Sequence, residues 1–187
     1  MTGVQTCALP IFDAPNTPLM HLIMWDMGIE PTLMALYDYP EQMREILDLI
    51  HERNKEYYHI ACRAPGPVVR PMEDTSTMLT SPAMYRQWAL DHLKDYAAIC
   101  HQHGKLFIVH MCGHLADMVD LIAEVSVVRI AAITPGTTGM ADLPTLRRKL
   151  GTRAIPVCGV APTTYATLSF DARRERIEAR LGRIEGD

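Results

Sequence analysis

The chain has 187 residues, 48% of them hydrophobic and 21% charged, with a formal net charge of -4. That length can bury a sizeable core, and the mild acidity denies a phosphate backbone the basic surface it requires, so nucleic acid is not an expected partner. No apolar run reaches membrane-span length, the best (125–133) containing Arg129, and five scattered cysteines form no disulfide framework, which points to a reducing cytoplasm.

The first residues, Met1-Thr2-Gly3-Val4-Gln5-Thr6-Cys7-Ala8-Leu9-Pro10-Ile11, resemble a translated sequencing-adapter tail of the kind found at the ends of metagenomic gene models. A signal peptide is the rival reading, but the segment has no Lys or Arg to make a basic n-region. Residues 1–12 are therefore set apart as a non-native tail, Cys7 with them, and 13–187 are read as the folded domain.

From Pro18 the sequence alternates between strand and helix signals. Leu19 to Trp25 is a short apolar run expected to be a strand. A helix starts at Pro40, a proline at the first helical position, with Met43, Ile46, Leu47 and Ile50 on one face. Gly66 to Met72 reads as a strand running into Glu73-Asp74. Ser81-Pro82 supplies an N-cap and an N1 proline for the next helix, which Gly104 ends. Leu106 to Met111 is a buried strand, followed by a helix over Leu115, Met118, Val119 and Ile122. Val127 to Ile133 is a strand with a Pro135–Gly139 loop. A short helix ends at Lys149-Leu150-Gly151, Ala154 to Val157 is the last strand, and Ser169 caps an amphipathic helix carrying Ile177 and Leu181. Five short apolar strands alternating with helices mean a parallel sheet, and the fold class is α/β: a partial (β/α)8 barrel of about five units, expected to be cut at both ends.

Nearly every chemically interesting residue follows a strand, which in such a barrel is the catalytic face. His110 and Cys112 project to the same side of their strand, with Met111 opposite, and an imidazole beside a thiol is half of a soft metal site. The plain reading is a buried thiol next to a hydrogen-bonded imidazole. Glu73 and Asp74 are candidate catalytic carboxylates, or else caps of the following turn. Gly113, Gly136, Gly139 and Gly159 read first as backbone necessities of tight loops, and Gly113, Gly139 and Gly159 as those a cofactor would approach. Cys158 reads as packed, Cys62 and Cys100 as ordinary helix or core residues, His101, His103 and His114 as solvated, and His51 and His92 as helical with no evident partner. The 12 methionines read as core filler.

Glu73-Asp74, Thr80-Ser81-Pro82, Gly104-Lys105, His110-Met111-Cys112-Gly113, Thr134-Pro135, Gly139 and Gly159 come in the order seen in uroporphyrinogen decarboxylase-family proteins. Within that family the chain most resembles the branch of corrinoid-dependent methyltransferases, over roughly 18–187. The resemblance implies that 13–187 is the C-terminal part of such a barrel domain. It also implies zinc held by a His-x-Cys pair, here His110 and Cys112, with a further cysteine expected beyond Asp187. The implied reaction moves a methyl group between a corrinoid and a small thiol, and the implied partners include a corrinoid carrier protein. The decarboxylases of the family use neither metal nor cofactor on their acetate-bearing tetrapyrrole, and that activity is the alternative. A non-catalytic carrier-binding subunit, or an inactive fragment with exposed sheet edges, is the third reading.

Overall fold

The computed structural model describes residues 11–74, 77, 79–111, 113–125, 129–133, 148–151, 155–158 and 166–184. Its strands are β1 (Ile11–Ala14), β2 (Val68–Glu73), β3 (Leu106–Met111), β4 (Arg129–Ile133) and β5 (Ile155–Cys158). They form one sheet in that order, every neighbouring pair parallel. The helices are α1 (Pro18–His21), α2 (Ile29–Asp38), α3 (Pro40–Ala61), α4 (Pro82–Trp88), α5 (Leu90–Gln102), α6 (Val119–Ile122) and α7 (Phe170–Ile184). Parallel neighbours require crossovers, and sequential strands joined by helices are the arrangement of a (β/α)8 barrel over five of its units. The sheet is not closed; β1 and β5 are its edges among the described residues.

β2 to β5 lie where the apolar runs put them, but the first strand does not. Leu19 to Trp25 is helical: α1 runs into a π-helical turn over Leu22–Asp26. Pro18 at the start of α1 fixes a helical φ, and Leu19, Met20, Leu22 and Ile23 are buried while Met24 and Trp25 are exposed. Seven residues, six of them apolar, are too few for periodicity to separate helix from strand. The strand that pairs with β2 is β1, with Ile11 opposite Val68 and Phe12 opposite Val69, so two residues assigned to the tail belong to the sheet.

α3 begins at Pro40 as expected, and Ser81 accepts a hydrogen bond from the Met84 N–H at 3.2 Å as the N-cap of α4. The single helix expected between Ser81 and Gly104 is two. The break falls at Ala89, whose φ of -137° and ψ of -34° depart from helical values, with Trp88, Ala89 and Leu90 all buried across it. Gly104, at φ 67°, ends α5 in a conformation that favours glycine. The helix expected over Leu115 to Ile122 is helical only from Val119.

The core lies between the sheet and the helices. Strand alternation sends Val69, Phe107, Val109 and Met111 into it, each at most 1% exposed, against Tyr58, Leu93, Tyr96 and Cys100. Val68 and Ile108 are also buried but stand apart from that cluster, on the opposite, barrel-interior face. His51 has partners that its helical position did not reveal. Its Nδ1 faces the Tyr96 hydroxyl at 3.1 Å, its Nε2 faces Asp95 at 3.0 Å, and its ring lies against His92 with centroids 4.3 Å apart.

Candidate active site at the C-terminal ends of the strands

Parallel strands place all their C-terminal ends on one side, so Ala14, Glu73 and Met111 open onto a common rim. The register sets side chains of matching parity next to each other. Asp13 is opposite Arg70, Met72 is opposite His110, and His110 is opposite Ala131. Arg70, Met72 and His110 alternate with the helix-facing set and therefore occupy the interior face. There Arg70 donates to Asp13, with Nε and Nη2 each 2.8 Å from Oδ1. His110 is half-buried, and its imidazole is held below the usual histidine range. Burial is the larger cause and the Arg70 guanidinium the next, with Asp13 and Asp74 opposing. Both causes favour the neutral ring at neutral pH.

Glu73 has the other parity and points into the helix layer, 1% exposed. Its carboxyl accepts from the Thr17 backbone N–H at 2.5 Å and from the Thr17 hydroxyl at 2.9 Å. Burial pushes its pKa up to about 7 against the lowering effect of those two bonds. The turn that Glu73 grips, Pro15–Thr17 after β1, is held from α3 as well. Tyr58 donates to the Pro15 carbonyl at 2.8 Å and Asn54 donates to the Asn16 carbonyl at 3.0 Å. A second tie joins the loops after β2 and β3, where Thr77 donates through its N–H and hydroxyl to the His114 carbonyl at 3.1 and 3.2 Å.

Of the residues singled out from sequence, Asp74, His110 and Gly113 fall on this rim, Gly113 turning the chain at φ 89°, and Glu73 stands at the same strand end with its side chain turned into the helix layer. The two carboxylates differ: both oxygens of Glu73 are engaged by Thr17, whereas the charge of half-buried Asp74 reaches His110. Cys112, Gly139 and Gly159 lie outside the described residues. Among the described residues no three His, Cys, Asp or Glu side chains converge as metal ligands. Asp13, Arg70 and Thr17 were not anticipated. Alternation alone could have found Arg70, which shares the parity of Met72 and lies on a strand whose neighbour ends in His110. Nothing local pointed to Thr17, 56 residues from Glu73 in the chain.

The uroporphyrinogen decarboxylase (URO-D) family model matches residues 11–184. The chain belongs to the uroporphyrinogen decarboxylase family. Among solved structures, a methyltransferase from Methanosarcina mazei superposes with a TM-score of 0.65 at 18% sequence identity, covering 80% of this chain and 42% of that one. At that identity the likeness is one of fold, and this chain spans less than half the length of its structural neighbour. No curated protein matches it significantly. The family match starts at Ile11, the first residue of β1. Among the described residues of this family member, no helix is long and apolar enough to cross a membrane.

Proposed function

We propose that the protein is a methyltransferase-like enzyme of the uroporphyrinogen decarboxylase family, moving a methyl group between a corrinoid and a small thiol in the cytoplasm. The observation that carries this reading is His110: a neutral imidazole on the interior face at the rim, beside the thioether of Met72. A metal-binding histidine must be deprotonated, so the donor chemistry of His110 fits zinc, with Cys112 as the second ligand. Bound there, zinc supplies thiol chemistry by lowering the pKa of a coordinated thiol to give a thiolate near neutral pH.

The remaining work falls to this chain's own side chains. Asp74, within electrostatic reach of His110, orients the substrate. Met72 gives the wall beside it an apolar, polarizable surface suited to a flat macrocycle. Glu73 is a positioning residue that fixes the rim through Thr17. Gly113, with Gly139 and Gly159, is assigned to cofactor binding, and a corrinoid carrier protein is the partner that would deliver the cofactor.

A metal-free decarboxylation of an acetate-bearing tetrapyrrole is the second reading. Arg70 favours it, because a guanidinium on the interior face is suited to grip a carboxylate. The test is zinc content and methyl transfer from methylcobalamin to a small thiol, measured on the purified protein and on Cys112→Ala. Joint loss of zinc and methylation is expected. Unchanged zinc in the variant overturns the ligand assignment, and carboxyl loss from the tetrapyrrole without zinc moves the activity to the second reading. Zinc retention with no methylation in the parent leaves a binding subunit.

A further inference from the structure

At the other end of the barrel two histidines meet. His59 lies in the last turn of α3 and His103 is the C-cap of α5. Both helices end just before the strands that follow them begin, so this pair sits beside the N-terminal ends of β2 and β3, away from the rim that holds His110. His59 Nδ1 is 3.1 Å from His103 Nε2, with the rings inclined at 68° and their centroids 5.3 Å apart. We propose that His59 and His103 form a surface site for a divalent late-transition-metal ion, which ties the C-terminal end of α3 to that of α5.

Three observations converge on this. The first is spacing: two imidazole nitrogens bound to one ion at about 2.0–2.1 Å, at right-angled to tetrahedral geometry, stand about 2.9–3.4 Å apart. The observed separation falls inside that window. The second is charge, because the last carbonyls of two helices end here and their partial negative charge favours a cation. Of the cations nearby, Arg63 and Lys105, Lys105 is already engaged, donating to the Ala64 and Gly66 carbonyls at 2.7 Å each.

The third is preorganisation. Cys62 and Cys100, one turn from His59 and His103 on their respective helices, are buried in contact with Sγ atoms 3.8 Å apart, which fixes the helix spacing beneath the imidazoles. The thiols are not counted as ligands, since no group of three such side chains converges among the described residues. The ion is therefore held by two imidazoles and by water, to which His103 is exposed. Imidazole donors suit copper, nickel and zinc, with copper bound tightest.

The site does not depend on the reaction proposed above, and its test is kept separate from it. Zn2+ and Ni2+ are titrated by equilibrium dialysis into the purified protein, into His103→Ala and His59→Gln, and into a His110→Ala control, with the thermal midpoint followed in parallel. The expected result is one equivalent of metal in addition to any held by His110 and Cys112, bound with a rise in midpoint. In either helix variant that equivalent is lost or binds at least about tenfold more weakly, and the His110→Ala control keeps it. Affinity, stoichiometry and thermal shift unchanged in both His103→Ala and His59→Gln overturn it, leaving the pair as a hydrogen bond between two rings. Both side chains lie at the surface end of their helices, so either variant is expected to fold.

Discussion

The two faces of strands β2 and β3 carry different kinds of residue. Toward the helices stand Val69, Phe107, Val109 and Met111, sealed from water, joined by a single carboxyl, Glu73, whose oxygens both have partners. Toward the barrel interior, beyond the buried Val68 and Ile108, stand Arg70, Met72 and His110, charged or soft and only partly covered. Both sets come from the same twelve residues, and a one-residue step separates them. Chemistry here follows parity: Glu73 and Asp74 are adjacent in sequence, yet one belongs to the packed layer and the other to the rim.

The contrast breaks most visibly on the packed side. Phe107→Ala removes a fully buried ring that lies against Tyr58, and is expected to lower stability by about 3–5 kcal/mol in urea denaturation. A loss below about 1 kcal/mol would mean that this face is not the core. Next comes Glu73→Ala, which strands the buried Thr17 N–H and is expected to cost about 1–3 kcal/mol by the same measurement.

Glu73 also imposes a pH dependence of definite sign. Its folded pKa of about 7 exceeds the ordinary 4.5, so the folded state holds the extra proton between those values. Its contribution is fully present below pH 4.5 and is lost as pH rises through 7. Glu73→Gln should flatten that part of the stability–pH curve, and an unaltered slope between pH 4.5 and 7 would remove Glu73 as its source.

The smallest effects belong to the interior face. Arg70→Gln breaks an ion pair with an exposed aspartate and should change stability by no more than about 1 kcal/mol. It should nonetheless raise the pKa of His110 measured by NMR, because a positive charge that opposes the imidazolium is gone. Since burial is the larger cause, the recovery should be partial. No movement at all would place Arg70 too far from the ring to matter.

Much of this was readable in the chain itself. Apolar runs with glycine and proline punctuation located β2, β3, β4 and β5. Ser81, Ser169 and Gly104 mark helix boundaries through side-chain and backbone chemistry that acts within a few residues. His110 was legible for the same reason, since strand parity is a local property. What escaped was non-local or ambiguous. The segment after Pro18 packs as helix because its burial is decided by α3 and the sheet, which no seven-residue window contains. The partner of Glu73 lies across the fold, so no local window could show that this candidate carboxylate also braces the turn 15–17. His103 looks solvated alone, and its pairing with His59 exists only when α3 and α5 are side by side.

The brace has a consequence for binding. At the turn 15–17, two backbone carbonyls and one N–H are already held by Tyr58, Asn54 and Glu73. A ligand arriving at the rim meets that loop with its conformational entropy already lost during folding, so association there carries little ordering cost. Asn54, on a helix and remote from the interior face, would thereby act on affinity at the proposed site: cutting its tie to Asn16 would return freedom to the loop and weaken binding without removing any contact to the ligand.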